Sequence, residues 1–251
     1  MSLDLLIDIG NSRIKWAYSQ NGRLIHHGSA KRSQSLPDQT QTAWLENARP
    51  VRVIAANVAG DAFADLLDQW AQRHWQQAVD YIKVEPKGFG IELAYAEIER
   101  FGVDRWLALV AARQLHKSAV AVIDAGTAVT LDVISAEGQH LGGIIVPGLA
   151  LMSEALRQKS TGIQYGIQGA RADQSALFGA DTHGCIEKGG LYAVTGAIEH
   201  VLHRFVSQNG LGLSVLICGG DAERVMAELN IECQHIPDLV LQGMQIVKGA
   251  S

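Results

Sequence analysis

Cysteine is scarce in this sequence. Cys185, Cys218 and Cys233 are the only three, far apart and without a C-x-x-C pair. That argues against a disulfide framework and leaves buried, reduced thiols as the expectation. Positive charge is never concentrated: no Lys/Arg block exceeds two residues, and the formal net charge is −5. Charge therefore supports neither a nucleic-acid partner nor an anionic membrane surface. No apolar run is long enough to span a bilayer, and no basic region precedes the apolar N-terminal segment, so the expected location is cytoplasmic. Three nucleotide or hydrolase signatures are missing. Without G-x-x-x-x-G-K-[ST], G-x-G-x-x-G or G-x-S-x-G, a Walker loop, a Rossmann turn and an α/β-hydrolase elbow are all excluded. His200 and His203 lack the H-E-x-x-H order and suit a solvated helix face better than a zinc site. His26-His27 is expected at an exposed strand end.

What is present is a repeat. Ile7-Asp8-x-Gly10 near the start recurs as Ile123-Asp124-x-Gly126 near the middle, and Ser19 and Gly22 recur at the same offset as Ser135 and Gly138. With 251 residues, 47% hydrophobic and 19% charged, the chain can bury a substantial core in each half. The pattern predicts an α/β protein of two lobes, residues 1–117 and 118–251, each a mixed sheet flanked by helices.

In the first lobe, punctuation by Gly and Asn predicts a three-stranded meander: Leu5 to Ile9, Ile14 to Ser19 and Arg23 to His27. A strand from Val51 to Ala56 and a helix from Asp61 to Gln77 follow. A further helix begins near Gly102. In the second lobe, Val120 to Asp124 and Thr130 to Ser135 repeat the first two strands. Pro147-Gly148 launches a helix over Leu149 to Lys159. Later helices are expected over Gly184 to Gln208, Ala222 to Leu229 and Pro237 to Lys248, with a strand from Leu213 to Cys218.

Glycine at a turn lets backbone N–H groups approach an anion unobstructed, so the two Asp-Gly turns are candidate phosphate cradles. An aspartate there repels phosphate directly and makes sense with a cation between them. Lys15, on the returning strand, adds a compact positive charge. Either turn alone would equally suit a plain β-hairpin; the matched pair points to two lobes around one charged ligand.

Four ordered motifs carry a resemblance: Asp8-x-Gly10-Asn11-x-x-x-Lys15, Gly102-x-Asp104-Arg105, Asp124-x-Gly126-Thr127-Ala128-x-Thr130 and Gly142-Gly143-x-x-x-Pro147-Gly148. Together they resemble the type III pantothenate kinases, of the acetate and sugar kinase/Hsp70/actin superfamily, across essentially the whole chain. Gly219-Gly220-Asp221 falls where that superfamily keeps its adenosine-side glycines. The resemblance implies two ribonuclease-H-like lobes in an actin-like ATPase fold. It also implies ATP-dependent phosphorylation of pantothenate to 4′-phosphopantothenate, the first step towards coenzyme A.

It further implies roles by position. Asp8, Ile9, Gly10, Asn11, Ser12, Arg13, Ile14 and Lys15 would hold the ATP phosphates, with Asp8 acting through Mg²⁺. Thr127 would contact the nucleotide, and Asp124 would bind a monovalent cation, K⁺ or NH₄⁺. Gly102, Val103, Asp104 and Arg105 would form the pantothenate site, Asp104 as catalytic base and Arg105 on the substrate carboxylate, with Tyr95 and Thr182 as further substrate contacts. The family works as a homodimer. An aspartate beside an arginine at a helix start is a weak base, which suits a loose transition state that releases the hydroxyl proton late. Two other functions stay open: a kinase for another small hydroxy acid, and an accessory factor in transcriptional regulation without kinase activity.

Overall fold

The computed structural model describes residues 3–159, 176–210 and 212–249. Its contacts divide the chain into two compact units. One comprises residues 1–117 with 138–140 and 238–251; the other comprises 118–137 with 141–237.

The first unit begins with β1 (Leu3–Ile9), β2 (Arg13–Gln20) and β3 (Arg23–Lys31), followed by α1 (Asp38–Glu46), β4 (Arg52–Asn57), α2 (Asp61–Trp75) and β5 (Val79–Tyr81). Two short strands, β6 (Lys87–Gly88) and β7 (Ile91–Glu92), lead to α3 (Val103–Leu115). The sheet order is β3-β2-β1-β4-β5, with β1 antiparallel to β2 and parallel to β4. β1 reads as a continuous apolar run because both its faces are covered: Leu5, Leu6 and Ile7 are all buried. One face carries a tryptophan cluster in which Trp44 lies 5.2 Å from Trp70 and 6.0 Å from Trp16, ring centre to ring centre. Such pairs contribute about 0.5–1.5 kcal/mol each beyond the area they bury.

β3 runs four residues past its expected end. The ladder shifts register between Trp16 and Tyr18 opposite His26, which adopts φ 50°, and pairing then resumes to Lys31. The bulge absorbs one residue and keeps the strand on the sheet. His26 and His27 are exposed as expected, but they lie mid-strand, and His27 Nδ1 sits 3.0 Å from the Asp238 carboxylate.

The second unit has β8 (Val120–Ala125), β9 (Ala128–Ile134), β10 (His140–Pro147), α4 (Leu149–Lys159), α5 (Thr182–Asn209), β11 (Ser214–Cys218), α6 (Ala222–Met226) and β12 (Gln234–His235). Its sheet order, β10-β9-β8-β11-β12, reproduces that of the first unit strand for strand. The sequence repeat is thus a repeat of topology. α6 ends three residues before its expected end. Its backbone tightens into i→i+3 turns at Glu228 and Leu229, and the next N–H, of Asn230, donates to Glu199 Oε1 at 2.6 Å.

The last helix, α7 (Leu239–Gly249), does not join the second unit, as a boundary at residue 117 had assigned it. It packs along α3 and against β1. Gly243 permits this, since a Cβ there would fall on the Leu107 backbone. The thiols differ from expectation at one position: Cys218 is buried and Cys233 half-buried, whereas Cys185 is exposed on the first turn of α5. Among the described residues no helix is long and apolar enough to cross a membrane. His200 and His203 are both exposed, as expected.

Candidate active site

In the first unit the chain reverses between β1 and β2 over Gly10–Arg13, closed by the Gly10 N–H on the Arg13 carbonyl at 3.0 Å. The register places Ile9 opposite Ile14 and Asp8 opposite Lys15. Directly opposed residues project to one face of a sheet, so a carboxylate and an ammonium stand side by side at the base of this turn. Asn11, Ser12 and Arg13 are exposed at its tip. The Arg13 guanidinium turns to β3, donating to Ser29 Oγ at 2.9 Å. Arg32 braces the turn: its backbone N–H donates to the Ser12 carbonyl and its Nε to the Asn11 carbonyl, each at 2.8 Å. No local sequence pattern marked Arg32, because it reaches the turn through β-pairing.

The start of α3 lies in the same unit. Gly102 is its N-cap in extended conformation, and Asp104 sits in the first turn. Asp104 does not cap the helix; its Oδ1 accepts the N–H of Arg105 at 2.8 Å. Gly102 makes room for that carboxylate, since a Cβ would stand 2.5 Å from Asp104 Oδ1. Arg105 is buried, at 9% exposure, which rules out a surface ion pair. Its guanidinium lies 4.5 Å from the centre of the Phe101 ring and 5.8 Å from that of Tyr95, with Nη1 donating to the Tyr95 hydroxyl at 3.4 Å. His140, itself buried, stacks near Tyr95 and meets Phe101 edge-on. Val103, the first residue of α3, is buried as well. Phe101 and His140 escaped the sequence reading: as aromatic supports for Arg105 they act only through tertiary packing.

The second unit holds the other turn. Here Ala125 lies opposite Val129 and Asp124 opposite Thr130. The turn is one residue shorter than its counterpart, and a threonine takes the cross-strand place that Lys15 fills in the first unit. Two glycine segments converge on it. Gly148, at the head of α4, donates its N–H to the Thr127 carbonyl at 2.9 Å, and a Cβ there would strike the Gly126 carbonyl. Gly219, at φ +102°, lies so close to the Ala125 backbone that only glycine fits. Asp221 donates its N–H to the Ala125 carbonyl at 2.9 Å.

Beside these segments opens a pocket of ≈ 320 Å³, lined among others by Leu149, Ser153, Thr182, Ile186, Asp221 and Arg224. Thr182 is the first residue of α5, and Asp181 caps that helix by accepting the Gly184 N–H at 2.7 Å. Burial pushes the Asp221 carboxyl up from its usual range, with Arg224 pulling it partly back.

A sequence model of the type III pantothenate kinases matches residues 4–204. The chain belongs to that family. It is 40% identical over 254 residues to the type III pantothenate kinase of Nitrosococcus oceani, covering 98% of this chain and 94% of that one. Against the type III pantothenate kinase of Thiobacillus denitrificans the identity is 33%, over 98% of this chain and 96% of the other. Among solved structures it resembles the ethanolamine utilization protein EutJ from Carboxydothermus hydrogenoformans (TM-score 0.54, 15% identity, 98% and 90% coverage). It also resembles the activator of the 2-hydroxyisocaproyl-CoA dehydratase from Clostridium difficile with bound ADPNP (TM-score 0.51, 13% identity, 97% and 91% coverage). The fold is the actin-like ATPase fold, with its two mixed sheets flanked by helices.

Proposed function

We propose that this chain is a pantothenate kinase, transferring the terminal phosphate of ATP to the primary hydroxyl of pantothenate and so opening coenzyme A biosynthesis. Beyond family membership, one observation carries the reading. Arg105 is held in the protein interior against the Phe101 and Tyr95 rings, immediately after a carboxylate at a helix start. A buried guanidinium in a fixed plane suits bidentate capture of a substrate carboxylate, which pantothenate has. Asp104, one residue away, accepts the hydroxyl proton as the phosphoryl group moves. Gly102 and Val103 shape the entry to α3, and Tyr95 and Thr182 add substrate contacts.

On the nucleotide side, residues 8–15 receive the phosphates and Thr127 adds a hydroxyl donor. Among the described residues no group of three or more His, Cys, Asp or Glu forms a metal cage. A lone carboxylate at the turn, Asp8, fits Mg²⁺ carried by nucleotide phosphates, since that ion takes one or two protein carboxylates and keeps several waters. Bound there, the metal would neutralise phosphate charge. Asp124, with the Thr130 hydroxyl opposite in place of a lysine, fits a monovalent cation, K⁺ or NH₄⁺. The assembly is a homodimer and the location cytoplasmic.

The test is purified protein with ATP, Mg²⁺ and pantothenate, with and without K⁺, assayed for 4′-phosphopantothenate. Product formation that needs K⁺ and falls by about 10²–10⁴-fold in Asp104→Asn supports the assignment. No product under any cation condition would reopen the choice between another hydroxy acid and the accessory-factor role.

A further inference from the structure

Arg32 makes more contacts to the first turn than a brace requires. β2 and β3 pair as far as Arg13 opposite Lys31, so Arg32 stands one step beyond the ladder, level with the tip of the turn. Its backbone N–H and its Nε engage the carbonyls of Ser12 and Asn11. Carbonyl oxygens are the parts of a turn that repel an anion, and here two consecutive ones are occupied from the β3 side. From the other direction the guanidinium lies over Phe63 of α2, 5.6 Å from the ring centre, and Phe63 is itself buried. The side chain is therefore fixed at both ends of its reach. Nε uses one of five donors. Among the described residues no carboxylate pairs with this arginine, and its terminal amino groups have no acceptor. A cation held rigidly beside a phosphate turn, with four N–H donors unspent, is built for an anion.

We propose that Arg32 is a nucleotide-positioning residue: it holds the Asn11 and Ser12 carbonyls back from the phosphates of ATP and presents its terminal amino groups to them. The inference rests on the ATP-binding role of residues 8–15. A purely structural brace would need a donor to Asn11 but no charge, and Arg13 already ties β2 to β3 through Ser29.

The test uses Arg32→Gln, which keeps an amide donor and loses the charge, Arg32→Lys, which keeps the charge and loses the planar fork, and Arg32→Ala. Each is compared with wild type by steady-state kinetics, by ATP titration followed through tryptophan fluorescence, and by thermal unfolding. Loss of one charge-assisted contact predicts a rise of about tenfold in KM for ATP and in its dissociation constant for Arg32→Gln, with KM for pantothenate changed by less than about twofold. Arg32→Lys recovers part of the loss. Added salt weakens ATP binding less in Arg32→Gln than in wild type. Unchanged ATP binding in Arg32→Gln overturns the proposal, as does a parallel rise of both KM values with a lowered unfolding midpoint. Wild-type protein that binds ATP without phosphorylating pantothenate overturns the substrate assignment instead, and the titration still decides the role of Arg32.

Discussion

Replacing Gly102 by alanine separates activity from stability at a single atom. Gly102 has φ −60° and ψ 129°, a conformation alanine adopts freely, so the backbone needs no rearrangement. The added Cβ would stand 2.5 Å from Asp104 Oδ1. Normal van der Waals separation is close to 3.5 Å, so the carboxylate must retreat by about 1 Å or rotate, giving up its 2.8 Å bond to the Arg105 N–H. Moving the free end of one side chain costs the fold little. Fewer unfolded conformations for alanine return about 0.4–1 kcal/mol, which leaves the unfolding midpoint unchanged or slightly raised. Catalysis is far less tolerant: a misplacement of about 1 Å at a reacting group lowers turnover about 10²-fold. Gly102→Ala should therefore lose about two orders of magnitude in kcat for pantothenate phosphorylation while KM for ATP holds. Differential scanning fluorimetry should show a fold at least as stable as wild type. Turnover within about threefold of wild type would refute the placement of Asp104 as base. So would a loss of activity matched by a loss of stability.

Two further outcomes concern the second unit. Because burial raises the folded-state pKa of Asp221 above its ordinary value of 3.8, the native state binds its proton more tightly than the unfolded chain does. The group is therefore neutral to stability below pH 3.8, and its contribution turns unfavourable as pH rises through the folded pKa. Asp221→Asn should stabilise the protein near neutral pH and lose that advantage in acid, as read from urea midpoints against pH; an equal gain at every pH would contradict burial as the cause. Asp181→Ala removes the cap of α5 and should cost about 1 kcal/mol in chemical denaturation, while Asp181→Ser, which restores an acceptor, recovers most of it.

The two Asp-Gly turns and the Gly-Val-Asp-Arg helix start were legible as local structure because their geometry depends only on neighbours in sequence. An Asp two residues before a Gly, or Gly-Val-Asp-Arg at a helix start, keeps its meaning wherever the lobe is placed. The doubled sheet order followed from the same repeat. Arg32, Phe101 and His140 could not be found that way. Each earns its place through a strand register or a ring contact, and an isolated arginine, phenylalanine or histidine has no spacing to betray it. The end of α6 was missed because Glu199, far off in sequence, supplies the acceptor that lets the helix stop. The extension of β3 depended on a bulge that apolar alternation does not signal.

The return of α7 bears on how the protein is made. Gln245 donates to Ser19 Oγ across 226 residues of chain, and α7 lies against α3, whose first turn carries Asp104 and Arg105. During vectorial synthesis, the portion of the sheet that emerges first must wait for α7, more than 200 residues later, before its apolar face is covered. The second unit can collapse from residues already extruded. The unit whose strands are translated first is thus the unit that matures last, and α3 stays without its packing partner until α7 has been synthesised.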